Sequence, residues 1–146
     1  MKRSFLIIGV SVVAMLLAGC ARADFSVPVD LPAISAAFQD VGLQICEQDD
    51  LDWSVTPGFV EGKYFIVGAD CSTYAGARPA ARVVAARFDS LAARDSALRD
   101  FETTYRRHIG AGMARGVGSW VIAVDGEQMP GTAMRLREAI VQLAGE

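Results

Sequence analysis

A single histidine, His108, is all the imidazole this chain possesses. A Ser-His-Asp arrangement needs that residue beside an activated nucleophile, and no serine sits in a G-x-S-x-G turn. A multi-histidine metal site is excluded by count alone, and His108 falls where a predicted helix ends, a position that suits a positive group near the helix C-terminus. Cysteine is also scarce, with three in 146 residues and none in C-x-x-C spacing, so a redox pair or thiolate metal site lacks its usual pattern. Positive charge is short as well. Fourteen Lys and Arg face seventeen Asp and Glu, giving a formal net charge of −3. Nucleic-acid binding wants a basic stripe, and an acidic domain is repelled by anionic headgroups, so neither partner is expected. No internal repeat or low-complexity linker is present, and apolar and aromatic residues recur throughout, which excludes a disordered chain.

The longest apolar run lies at the start. Met1-Lys2-Arg3 supplies positive charge, and Phe5 to Ala18 is an uncharged run of fourteen residues that ends in small side chains. A spanning helix needs about 20 apolar residues to cross roughly 30 Å of hydrocarbon, so this run reads as an export signal. The four residues that close it, Leu17-Ala18-Gly19-Cys20, resemble the lipobox of bacterial lipoprotein precursors. That resemblance covers residues 1–20 only. It implies that the Cys20 thiol receives a diacylglyceryl group and that a signal peptidase cuts just before it. It further implies a location outside the cytoplasm, on the outer face of the plasma membrane or, in a host with two membranes, on the outer one, because Ala21 rather than Asp follows the cysteine. Two or three acyl chains, each buried methylene contributing about 0.8 kcal/mol, hold a domain firmly where one chain alone does not.

The expected organisation is then a signal over 1–19, a lipidated tether over 20–30 and one domain over 31–146. Removal of the signal takes two positive charges from the formal total and leaves −5. With Cys20 assigned to lipid, Cys46 and Cys71 remain as an even pair in a compartment where disulfides persist, and they are expected to bond. Their midpoint falls between Gly58 and Phe59, within a turn-rich stretch, so a hairpin folded there sets the sulfurs opposite each other and Trp53 opposite Tyr64.

Along the mature chain, Phe25, Val27 and Val29 alternate and fit a short edge strand. Asp30 is placed to cap a helix with Pro32 in its first turn; Leu31, Ile34, Phe38 and Val41 recur at helical spacing before Gly42. Strands are predicted over 43–46, over 51–55 after an acidic bend or bulge at 47–50, over 63–69 and over 82–88. A long helix starts at Asp89 or Ser90 with Leu91, Leu98, Phe101 and Tyr105 on its buried stripe, and its outer face pairs Asp95 with Arg99 and Glu102 with Arg106. Gly110, Gly112, Gly116 and Gly118 read as a flexible connector; a phosphate loop would follow a strand and open a helix, the reverse of the order here. A strand over 120–124 and a helix capped by Thr132, with Ala133 or Met134, Leu136, Ile140 and Leu143 inward, complete the chain. The fold expected from this order is α+β: a two-layer sandwich, ferredoxin-like or related, whose mixed four- or five-stranded sheet carries helices on one face and has the strands flanking the long helix parallel.

Function is less legible. Catalytic residues, a metal and a cofactor are not called for by any motif. Asp49, Asp50 and Asp52 cluster oxygens, but without the glycine and distal glutamate of a calcium loop, and a solvated acidic turn is the plainer reading. Trp53, Phe59, Tyr64 and Tyr74 concentrate aromatic surface around the hairpin, and those pointing away from the helices would form a binding surface. The expected role is thus a lipid-tethered, non-catalytic binding or interaction module of the cell envelope with a protein partner. The alternative is a small envelope enzyme or metal-binding protein that uses the acidic hairpin. A transporter-feeding solute receptor is disfavoured, because such chains comprise two larger lobes around a cleft.

Overall fold

The computed structural model describes residues 28–73, 80–108, 113–125 and 130–146. The expected front strand falls largely outside these residues, and Pro28 to Asp30 carry no strand assignment. Helix α1 spans Leu31–Asp40, and its start is as the residue types dictate: the Asp30 side chain accepts a hydrogen bond from the Ala33 amide at 2.8 Å, and Pro32 occupies the first turn. Gly42, at φ +74°, takes the left-handed conformation that ends the run.

Five strands follow: β1 (Gln44–Asp50), β2 (Phe59–Gly68), β3 (Ala81–Phe88), β4 (Met113–Val117) and β5 (Trp120–Asp125). Helix α2 (Leu91–His108) lies between β3 and β4, and α3 (Pro130–Ala144) closes the chain. The molecule is therefore an α+β sandwich, as expected, with sheet order β1-β2-β3-β5-β4.

The sheet is not mixed, however, since every neighbouring pair of strands is antiparallel. The reason is β4, a strand inside the glycine-rich segment whose composition suggests a connector. The crossover through α2 lands on β4, and a two-residue turn at Gly118-Ser119 sends the chain back as β5, which inserts between β4 and β3. Gly118 alone has positive φ in that turn, at +55°, as a II′-type hairpin requires. β3 and β4 run parallel to each other but are separated by β5, so the split β-α-β relation survives in this form.

The helices do not share one face either. α1 and α3 pack on one side of the sheet, where Ile34, Phe38, Leu136 and Ile140 meet Phe65, Val67, Val83, Ile122 and Val124. α2 packs on the other, where Ala97 and Phe101 meet Val84, Ala86, Phe88, Val121 and Ala123. The central strands are thus buried on both faces, and the sandwich has three layers rather than the two expected. Trp120, 1% exposed, sits in the first core and donates its indole N–H to the Val29 carbonyl at 2.7 Å, which fixes the chain entering α1.

Several helix details also shift. Leu91 is 58% exposed, and the buried line of α2 is instead Ala97 and Phe101, with Leu98 half-buried. Asp95 pairs with its neighbour Arg94 at 2.5 Å, and the Tyr105 and Arg106 side chains lie outside the description. Arg94 also reaches across the β4–β5 hairpin to the Gly118 carbonyl, and its guanidinium occupies the space that a Cβ on Gly116 would need. α3 begins at Pro130, so Thr132 is a buried residue of its first turn rather than its cap. Met134 faces solvent.

Candidate functional site

The cysteine pair is joined: Cys46 and Cys71 form a disulfide with Cα atoms 5.2 Å apart. They do not face each other across a simple hairpin. Gln44 opposes Gly68 and Asp49 opposes Tyr64, a register centred two to three residues earlier than expected. A bulge between Ile45 and Glu47 displaces Cys46, and the chain beyond β2 turns through the 3₁₀ segment Cys71–Thr73 to bring Cys71 back to it. The acidic residues 47–50 are accordingly strand, not bend. They lie on an edge strand, where charge discourages pairing with another chain.

Strand alternation also disperses the acidic cluster. Asp49 and Asp50 are consecutive in β1 and so turn to opposite faces. Asp50 holds Lys63 at 2.7 Å, and Asp52 accepts from the Ser54 amide at 3.1 Å. The Ser54 side chain and then its amide hold the Asp52 carboxyl below its ordinary value, and Asp70 is lowered in the same way by the Ser72 amide and hydroxyl. Among the described residues no three His, Cys, Asp or Glu side chains are placed to hold a metal ion.

Of the four aromatic residues singled out, Tyr74 lies outside the described residues, and the other three are on the α2 side of the sheet. Phe59 opens β2 and packs edge-on against the buried Phe88, with centroids 6.3 Å apart, so it is half-buried against the α2-side core. Tyr64 is half-buried opposite Val84 and carries the Arg82 guanidinium 5.2 Å from its ring centre. Trp53 is not in a strand. Residues 51–58 form two successive turns, Trp53–Thr56 and Thr56–Phe59, with backbone bonds of 2.7 and 3.1 Å. Gly58 makes this possible: its φ is +77°, and a Cβ there would lie 2.5 Å from the Ala93 side chain of α2. The loop is therefore pressed onto α2, and Trp53 comes to rest with its ring centre 6.5 Å from that of Phe101.

A groove of about 230 Å³ opens between this loop and the helix, lined by Trp53, Thr56, Ala97, Asp100, Phe101 and Thr104. Ala97, Phe101, Asp100 and Thr104 come together because residues four apart share a helix face. In sequence Phe101 belongs to the buried stripe alone, and Asp100 and Thr104 carry no signal. The clue that links them, their i,i+4 spacing opposite an aromatic loop, exists only once the loop is folded. Val55, at 93% exposure, stands two residues beyond Trp53 on the same loop. Cys20 precedes the described residues. No helix among the described residues is long and apolar enough to cross a membrane. No protein-family model matches the chain, and no curated protein or solved structure matches it.

Proposed function

We propose that the chain is an exported, lipid-anchored binding module of the cell envelope, held to the membrane through acyl chains on Cys20 and acting without catalysis of its own. The observation that carries this reading is the sequence Leu17-Ala18-Gly19-Cys20 directly after an uncharged run with a positive start. The disulfide supports it independently, because a bond between Cys46 and Cys71 persists in oxidising compartments and is rare in a reducing cytosol. The spacing of anchor and domain is also suitable. Val29 is tied to Trp120, and the eight residue-to-residue steps from Cys20 to Pro28 span at most about 28 Å when extended. A domain on such a tether stays within roughly its own diameter of the bilayer and meets partners there. Binding is favoured by the site itself, an open groove in which described residues set aromatic rings beside one carboxylate.

Metabolic labelling with radioactive palmitate tests the anchor. The parent protein is expected to take up label and to partition into detergent, and Cys20→Ser is expected to lose the label and accumulate as precursor. A Cys20→Ser protein that is still cut at the same bond and still carries label would overturn the reading.

A further inference from the structure

We infer that the groove between the 51–58 loop and α2 is a receptor for one arginine side chain of a partner protein, a step that rests on the binding-module reading and gives it a site. The size of the groove sets the first limit. At about 230 Å³ it falls below the roughly 300–1,000 Å³ of a pocket for a whole small-molecule ligand, and suits a single side chain. The walls set the second. Trp53 and Phe101 lie 38° from parallel and 6.5 Å apart at their centres, so the buried Phe101 backs the half-buried Trp53, whose indole offers a flat aromatic surface at the groove mouth. Charge sets the third. Asp100 stands on the exposed side of α2 directly before Phe101, and among the described residues it makes no ion pair.

No described residue lining the groove is basic, so among the described residues the carboxylate faces no cation. An aromatic wall beside a free carboxylate is the chemistry that holds a guanidinium: the plane stacks on the ring while its N–H groups reach the oxygens. A lysine ammonium would satisfy Asp100 but lacks the plane, which favours arginine. Thr56 and Thr104 add hydroxyl acceptors at the rim. Asp52 on the same loop and Asp49, which shares the Tyr64 face of the sheet, add negative charge on this side, and a cationic segment approaches such a surface faster than a neutral one. Val55, exposed beside the groove, offers an apolar contact to the residues flanking the arginine.

The test uses the ¹⁵N-labelled full chain in detergent, titrated with the peptide acetyl-Ala-Arg-Ala-amide and with its citrulline counterpart, which keeps the shape and loses the charge. The arginine peptide is expected to shift the Trp53 indole N–H and the amides of Thr56, Ala97, Phe101 and Thr104. The citrulline peptide is expected to bind at least about tenfold more weakly, and raising salt from about 0.05 to about 0.5 M should narrow that gap. Asp100→Asn, an exposed change that leaves the core intact, should remove most of the preference, and Trp53→Ala should remove binding of both peptides. Equal binding of the two peptides, unchanged preference in Asp100→Asn, or shifts confined to residues outside the groove would each overturn the assignment. Palmitate labelling of the same protein reports on the anchor separately, so failure here is distinguishable from failure of the membrane reading.

Discussion

The two faces of the sheet are built differently. Under α1 and α3 the centre of the face is closed: Trp120, Phe38, Phe65, Ile34, Ile122, Leu136 and Ile140 are each under 2% exposed and interlock across four elements. Under α2 the cover is a single helix whose buried contacts, among the described residues, are Ala97 and Phe101, extended at its flank by a loop. Large side chains pinned between two helices fill the centre of the first face and leave hollows at its rim, one of about 430 Å³ beside Val29, Val117 and Leu143, whereas on the second face one helix and a loop meeting at an angle leave a groove walled by aromatic rings. The first face therefore carries most of the stability, and the second is free to present a binding surface at modest cost to the fold.

Substitutions on the two faces should separate these roles. Trp120→Ala removes the largest buried side chain and its bond to Val29, and should destabilise by about 4 kcal/mol, read as a lower urea midpoint with unchanged slope. Next in size is the disulfide, which spans a sequence separation of 25 residues and restrains the acidic edge strand. Replacing Cys46 and Cys71 with serine should cost about 3 kcal/mol, and dithiothreitol should lower the midpoint of the parent but not of the variant.

Gly58→Ala tests how the loop is seated on α2. Both its positive φ and the contact with Ala93 oppose a methyl group, so a loss of about 2 kcal/mol is expected, together with a shift of the Trp53 indole resonance. The smallest effect concerns acid. Asp52 and Asp70 have folded-state pKa values below the ordinary 3.8, so the stability they contribute is complete above that value and is lost as pH falls through the lowered ones. Between neutrality and about pH 4 these two groups should leave the urea midpoint unchanged. Asp52→Asn and Asp70→Asn should flatten only the limb below it.

Much of the closed face was legible in the sequence. Asp30, Pro32 and Gly42 act locally, through a cap, a fixed φ and a left-handed stop, and local rules placed α1 almost to the residue. The strands β2, β3 and β5 were legible from their apolar and β-branched composition, but their partners were not. The unbroken runs Val83–Ala86 and Val121–Val124 carry the mark of strands buried on both faces, since alternation would have left a polar residue at every second position. The strand β4 was hidden because its five residues include Gly116, and glycine disfavours a strand on its own account. Here it is required by the passage of Arg94, a contact between residues 22 apart in sequence that no local pattern encodes.

The candidate site divides in the same way. Trp53 was visible as an aromatic residue in a turn-rich stretch, but its setting was not. The expected strand over 51–55 would have placed it opposite Tyr64, whereas the early end of β1 at Asp50 releases it into the loop. Its partners on α2 lie nearly fifty residues away, and only the packing of Gly58 on Ala93 joins them. The disulfide was legible by parity alone; the bulge and the 3₁₀ turn that align its ends were not.

The most direct measurement compares stability and arginine-peptide binding in one sample of Trp53→Ala. Stability within about 1 kcal/mol of the parent, with binding reduced tenfold or more, is the predicted result, because the half-buried indole lines the groove and is not part of the closed core. A loss of stability approaching that of Trp120→Ala, with peptide binding retained, would contradict the division between the two faces.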